Sequence, residues 1–541
     1  MLYSERAQAV AHALVRAAWR LIATAAPRAG QSLWLVKRHI LSAVAALLFG
    51  IAAIIFGAPA PDGYSWFDAG QGGGFPAQAN YDDPSGKLGV IVSGGPVEMK
   101  GHPFFEPLGT NGRACVTCHQ PSNGMSVSTA SLHERWQKMR GKDPVFAAVD
   151  GSNCPSLPQD QESSHSLLLN RGLFRVFLPW PPKKLDGTPL QPEFKIEVVR
   201  DPTGCNLDPT YGLKSAHPTV SVFRRPRPVA NLKYPTVSYG GPFNIKTGTL
   251  LDVDPETGRP VSMNLLSDAR QPTLKTQAIA AAFDHEQASA HPSNDQLRQI
   301  VDFESRIYMA QIFDQRGGEL AETGGPPGLG PQAMANGKPG ALGDNDYSPV
   351  FLLFDAWKNP PGQSAAQREF RASVARGADI YMFRQFWIRD ATHINTIGLG
   401  NPIKRSCSTC HNAQMTGQDL APGWVDLGTN NYPTWTELPL WNPSAVLPVF
   451  KVTCDSSAPP HPFLGRVIYT SDPGRALISG KCADVGSIVM QQLRGLSARA
   501  PYFSSGSAKS LREVVDYYDR RFDIKYNDQE KQDLINFLSV L

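Results

Sequence analysis

Cys115-Val116-Thr117-Cys118-His119 and Cys407-Ser408-Thr409-Cys410-His411 are two copies of Cys-x-x-Cys-His set 292 positions apart, and they hold four of the chain's eight cysteines. The spacing suits covalent attachment of a c-type haem. Two thiols three positions apart reach the two vinyl groups of one porphyrin, and the adjacent imidazole meets the iron from below. A structural zinc site needs four ligands closed in a tetrahedron, and a thioredoxin-like Cys-x-x-Cys requires neither the following histidine nor a second copy. The repeat therefore predicts two covalently bound haem c groups, attached at Cys115, Cys118, Cys407 and Cys410, with His119 and His411 as iron ligands. Two irons in one chain imply redox work.

The rest of the chain bounds that reading. Its 541 residues give length for two or three domains, and a hydrophobic content of 41% is ample for conventional cores. The net charge of +4 is small and arises from interspersed Lys, Arg, Asp and Glu, so nothing points to nucleic acid. Glycine and proline concentrate in connecting stretches such as Gly317 to Pro361, which predicts long surface loops. Ile40 to Phe56 is an uncharged apolar run preceded by Arg16, Arg20, Arg28, Lys37 and Arg38. That asymmetry predicts a cytoplasmic segment over 1–39 and a transmembrane anchor or signal segment over 40–58. The remainder is then expected on the periplasmic side of a bacterial inner membrane, or free in the periplasm if Ala58-Pro59-Ala60 is cleaved. In an oxidising compartment the other four cysteines suggest two local disulfides, Cys154 with Cys205 and Cys454 with Cys482, with free buried thiols as the alternative.

Gly70 to Gly74 reads as a linker, and Ser128 to Met139 as a helix. From Asp150 to Pro235 prolines, β-branched residues and turns predict an insertion with short strands. Leu274 to Ala290 and Gln296 to Phe313 read as helices, the second with Ile300, Phe303, Ile307 and Ala310 at helical spacing. A helix from Ala365 to Phe386 runs into the second motif, another proline-rich insertion follows, and helices near Leu511 to Tyr518 and Asp528 to Leu541 close the chain. The expected architecture is mainly α, with two cytochrome c-like haem lobes, 75–320 and 362–541, carrying loop-rich insertions behind an N-terminal membrane segment.

Taken with the two motifs, Leu493-Arg494-Gly495-Leu496-Ser497-Ala498-Arg499-Ala500-Pro501-Tyr502-Phe503, then Gly506-Ser507-Ala508 and Leu511-Arg512-Glu513-Val514-Val515, resemble the bacterial dihaem cytochrome c peroxidase and MauG superfamily. Ala375-Arg376-Gly377-Ala378, Cys410-His411-Asn412 and the stretch Ser267 to Ala278 add to the match, which covers most of residues 100–541 outside the insertions. The resemblance implies that the N-terminal haem handles hydrogen peroxide and that the C-terminal haem exchanges electrons. The electrons would come from a small cytochrome or copper protein, or the oxidising power would be turned on a protein substrate.

On the open face of the first haem the family uses a glutamine and, ten positions later, a glutamate. Gln277 matches the glutamine, but the tenth position is Gln287, so the acid/base role passes to His285 or Glu286. An imidazole or a carboxylate titrating near neutrality can move the proton that peroxide cleavage requires; the rival reading of these two residues is a solvated helix end. Ser267 stands where the family places a tryptophan between the haems, leaving Trp136 and Trp387 as aromatic alternatives. His133 is the nearby candidate for a removable distal ligand, and a solvent-facing position on its helix is the preferred reading. Tyr518 falls where true peroxidases carry methionine and MauG-like members tyrosine, which makes it the expected distal ligand of the second iron; the alternative is a tyrosine packed beside Tyr517. A phenolate favours higher oxidation states than a thioether does. The resemblance also implies a calcium ion between the lobes near Asn231 and Ala500-Pro501, with Arg499 in place of the usual threonine. Two rivals remain: an electron-transfer cytochrome with both irons six-coordinate, and an enzyme that oxidises an organic substrate.

Overall fold

The computed structural model describes residues 65–184, 186–236, 243–244, 249–250, 261, 264–337, 353–362, 364–392, 400–411, 423–432 and 445–541. The expectation of a mainly α chain is corrected. About 30% of the fold is helix and 20% strand, and the described strands form seven small sheets. No described helix is long and apolar enough to cross a membrane, and residues 40–58 lie outside the described residues.

Part of the excess strand comes from one segment. The helix expected over Gln296 to Phe313 ends at Arg306, and Ile307–Asp314 continues as a strand. Residues 307–311 are all buried, and a fully buried apolar run carries no periodicity that separates helix from strand. The strand pairs antiparallel with Gly86–Val92, which pairs in turn with Gln78–Asp83. This hairpin turns at Asp83-Pro84-Ser85-Gly86, where Asp83 Oδ1 accepts from the amides of Ser85 and Gly86 at 2.8 and 2.9 Å.

The insertions also supply strands, and they join across the chain. Phe194–Arg200 from the first insertion pairs with Val449–Cys454 from the second, which pairs with Val467–Thr470. Disulfides link Cys154 to Cys205 and Cys454 to Cys482. Arg224 reaches Asp472 in the second insertion at 2.7 Å and Asp268 at 2.6 Å, with all three side chains buried. The two insertions thus form one body, packed in the compact unit Tyr64–Leu541.

The expected helices are otherwise found with small shifts. Thr129–Met139 is N-capped by Ser128, whose hydroxyl accepts from the Ser131 amide, an interaction typically stabilising by about 1 kcal/mol. Leu274–Asp284 is capped by Thr273, and Ala365–Phe383 by Ser364. The closing helices are Leu511–Phe522 and Asp528–Ser539. Gly377 lets Ala365–Phe383 lie directly against Asp528–Ser539, because a Cβ there would collide with the Asp533 carbonyl.

Candidate functional site

Each pentapeptide opens on its own cavity. Cys115–Cys118 forms a single helical turn, and with His119 it lines one cavity. Cys407–Thr409 is a short 3-10 turn, and Cys407, Cys410 and His411 line a second cavity. The walls of the second are strongly apolar, built from Tyr381, Phe386, Val515, Phe522 and Leu538 of the surrounding core. All four thiols are free of disulfides and half-buried. Large apolar clefts beside paired thiols and an imidazole are what a covalently attached porphyrin requires, so these residues fit the group.

The imidazole of His119 is oriented for ligation. Its Nδ1 lies 3.0 Å from the Met125 carbonyl oxygen, which leaves Nε2 for a metal, the arrangement that fixes tautomer and ring direction in histidine ligands. Burial lowers its pKa to about 4, so the ring is neutral at pH 7, the form that binds iron.

The same cavity gathers titratable groups from distant parts of the chain. His285 caps the helix Leu274–Asp284, and its Nδ1 sits 2.6 Å from Asp150 Oδ2. Asp150 is buried and also paired with Arg113, which donates to the carbonyls of Pro144 and Val145 at 2.7 Å each. Burial opposes a charge on His285, but the hydrogen bond and charge of Asp150 outweigh it and raise its pKa. Glu286 accepts from the Leu108 amide at 2.9 Å and lies 3.4 Å from Cys115 Sγ; burial lifts its pKa to about 7. Gly109 makes this approach feasible, since a Cβ would collide with the Glu286 carbonyl. Gln277 lines the cavity, whereas Gln287 is exposed. His133 is exposed on its helix, away from the cavity wall.

Sequence reasoning missed three residues here. Asp150 and Arg113 orient His285, and Asp150 lies 135 positions from it with no local signal. Glu304 lines the cavity, is 2% exposed, and has a buried Oε2 without a hydrogen-bond partner; burial alone raises its pKa to about 8. A signal for Glu304 existed. It is a carboxylate among Leu297, Ile300 and Phe303 on the buried stripe of Asn294–Arg306, where an apolar residue is expected.

At the second cavity Tyr517 and Tyr518 part company. Tyr517 is buried and donates to the Leu427 carbonyl at 3.0 Å, while Tyr518 lines the cavity with its ring centroid 6.4 Å from that of His411. Burial raises the Tyr518 pKa, so the phenol is neutral unless a cation stands against it. Met490 also lines this cavity, and sequence reasoning did not single it out. Trp136 packs on Phe146 and His165 and Trp387 is 56% exposed; neither lines either of these two cavities.

The residues named for calcium do not fit a cation. Asn231 donates to the Met309 carbonyl and to Gln492 Oε1, both at 3.0 Å, and its Oδ1 accepts from the Met309 amide at 3.1 Å. The Arg499 guanidinium donates to the carbonyls of Arg494 and Gln492. Among the described residues no three His, Cys, Asp or Glu side chains are grouped so as to hold a metal.

Comparison with known proteins gives one distant similarity. A stretch of 149 residues is 28% identical to a cytochrome-c peroxidase, IdrP1, of Pseudomonas sp. (strain SCT). It covers 26% of this chain and 37% of that protein, so the chain spans well under half the length of the curated relative it matches. No family model matches the chain, and no solved structure matches it. The similarity supports a peroxidase-like oxidoreductase with haem c, and no finer statement.

Proposed function

We propose that the chain is a dihaem c-type enzyme that reduces hydrogen peroxide in the N-terminal cavity and exchanges electrons through the C-terminal one. The observation that carries this reading is the convergence on one cavity of a Cys-x-x-Cys-His motif and a His285–Asp150 pair. When bound, haem iron supplies the redox centre at which peroxide, with two electrons and two protons, becomes two waters. His119 would hold the iron. His285, kept in one tautomer by Asp150, accepts the proton from peroxide and returns it to the departing oxygen. Glu286, anchored by the Leu108 amide, positions the segment, and Gln277 offers a neutral donor at the cavity wall.

Tyr518 is proposed as the second ligand of the C-terminal iron, which allies the chain with the MauG-like branch and favours stored oxidising equivalents over uptake from a high-potential donor. The donor is then a small redox protein or an oxidisable protein side chain. The two disulfides support an oxidising, extracytoplasmic compartment such as the periplasm. The deciding experiment is haem stoichiometry by pyridine haemochrome, peroxide turnover, and electron paramagnetic resonance of the ferric protein alongside Tyr518→Phe and Met490→Leu. Two haems, turnover, and a low-spin signal changed only by Tyr518→Phe are expected. A protein whose two irons bind neither cyanide nor peroxide is an electron-transfer cytochrome instead, and a signal altered only by Met490→Leu assigns the thioether.

A further inference from the structure

Between the two cavities lies a cluster of cations that makes no hydrogen bond or ion pair to a carboxylate among the described residues, the charge of Asp268 acting on Arg227 only from a distance. Arg225 lines both cavities, Arg227 the first and Arg499 the second. Every hydrogen bond from the three guanidiniums goes to a backbone carbonyl. Arg225 donates to Val127, Arg499 and Arg171 at 2.6, 2.9 and 3.3 Å; Arg227 donates to Val489 and Met490 at 2.9 and 3.1 Å; Arg499 uses Arg494 and Gln492. Arg225 and Arg499 are each 7% exposed. Elsewhere in this wall charge is balanced, as where Arg224 meets Asp268 and Asp472. Beside the cluster, Gln491 lines both cavities, and its buried Nε2 has no hydrogen-bond partner.

Burial and mutual repulsion press against these charges, yet a guanidinium does not release its proton at neutral pH. Several buried cations and an orphaned donor therefore call for an anion. We infer that Arg225, Arg227, Arg499 and Gln491 form a carboxylate-binding seam that takes the propionate groups of the porphyrins in both cavities and draws them to one shared wall. The inference rests on the proposed binding of haem in these cavities. Its consequence is coupling: Arg225 faces both porphyrins, so one side chain sets the electrostatics of both irons. Among the described residues no aromatic side chain lines both cavities, and the shared wall is Arg225, Pro226, Gln491 and Gln492.

The test is spectroelectrochemical titration of the purified holoprotein, resolving the two haems, for wild type and for Arg225→Gln, Arg227→Gln and Arg499→Gln. Loss of a nearby positive charge stabilises the ferric form, so Arg225→Gln lowers both midpoint potentials. Arg227→Gln lowers chiefly that of the N-terminal haem, and Arg499→Gln chiefly that of the C-terminal haem. In each variant the affected potential becomes more pH-dependent, as the exposed carboxylate takes up a proton more readily. Arg227 is half-buried where Arg225 and Arg499 are buried, so its variant keeps the test readable if Arg225→Gln does not fold. Unchanged potentials in a folded, haem-loaded variant overturn the seam alone, as do wild-type potentials that track added phosphate or chloride. Wild-type protein without covalent haem overturns the reading of the cavities and the seam with it.

Discussion

His285 and Asp150 carry the most specific chemistry at the scale of single residues. The proposed acid/base role requires a neutral imidazole, and Asp150 raises the His285 pKa. The rate of peroxide cleavage is therefore expected to fall as pH drops through a value above the ordinary imidazole figure of about 6.5. Asp150→Asn should move that acid limb to lower pH, and His285→Ala should slow cleavage by roughly 10²–10⁴-fold with haem content unchanged. Stopped-flow kinetics across pH reads both effects. Full activity in His285→Ala would remove the imidazole from the mechanism. Glu304 makes the opposite kind of prediction, because its burial costs stability. Its folded pKa of about 8 exceeds the ordinary 4.5, so the native state holds an extra proton between those values and loses stability as pH rises through that window. Glu304→Gln should be nearly neutral at acid pH and stabilise by a few kcal/mol above the upper value, as read by denaturant melts. The thiols and the two motif imidazoles were legible as types at a spacing, and Gln277 only through the family resemblance. The partners that tune them were not, because Asp150 and Arg113 reach the site through tertiary folding, far from His285 in sequence.

Among elements, the capped helices were legible and the buried strands were not. Ser128, Thr273, Ser364 and Ser510 each begin a helix by accepting a backbone amide, a signal that lies in the sequence itself. Ile307–Asp314 has no such marker, and its apolar residues fit a helical stripe as well as a buried strand. The turn Asp83-Pro84-Ser85-Gly86 was a hairpin signal that the reading of the sequence did not pick out. Gly377, in contrast, was picked out as part of Ala375-Arg376-Gly377-Ala378, and the structure supplies its physical cause in the close approach of Asp533. Gly377→Ala must push the helices Ala365–Phe383 and Asp528–Ser539 apart. A loss of about 1–3 kcal/mol, the usual cost of overpacking, is expected in chemical denaturation, together with a perturbed spectrum at the C-terminal haem because both helices wall its cavity. A melt unchanged from wild type would show that the pair can separate freely.

For the whole molecule, the sequence suggested two lobes each with its own insertion, whereas the structure ties the insertions together. The sheet Phe194–Arg200 with Val449–Cys454, the Arg224 bridge from Asp268 to Asp472, and the hydrogen bond from Arg225 to the Arg499 carbonyl all cross between the halves. Non-local pairing of this kind leaves no pattern in either segment, since each strand reads the same whether its partner is near or far. It does have a thermodynamic signature: the halves should unfold together. Differential scanning calorimetry, run alongside absorbance at each haem, is expected to give one transition for wild type. Arg224→Gln leaves Asp268 and Asp472 buried without their shared cation, and removing one partner of such a network costs about 3–5 kcal/mol. The destabilised variant should unfold at lower temperature, and its two haem signals should begin to separate as the halves decouple. The bridge also sets an acid limit. Burial raises the Asp268 pKa, but Arg270 and Arg224 outweigh it and hold the group well below the ordinary 3.8, so its contribution is present above that value and fades as pH falls below it. Two independent transitions in the wild-type chain at neutral pH would mean that the shared sheet and the Arg224 bridge do not couple the halves.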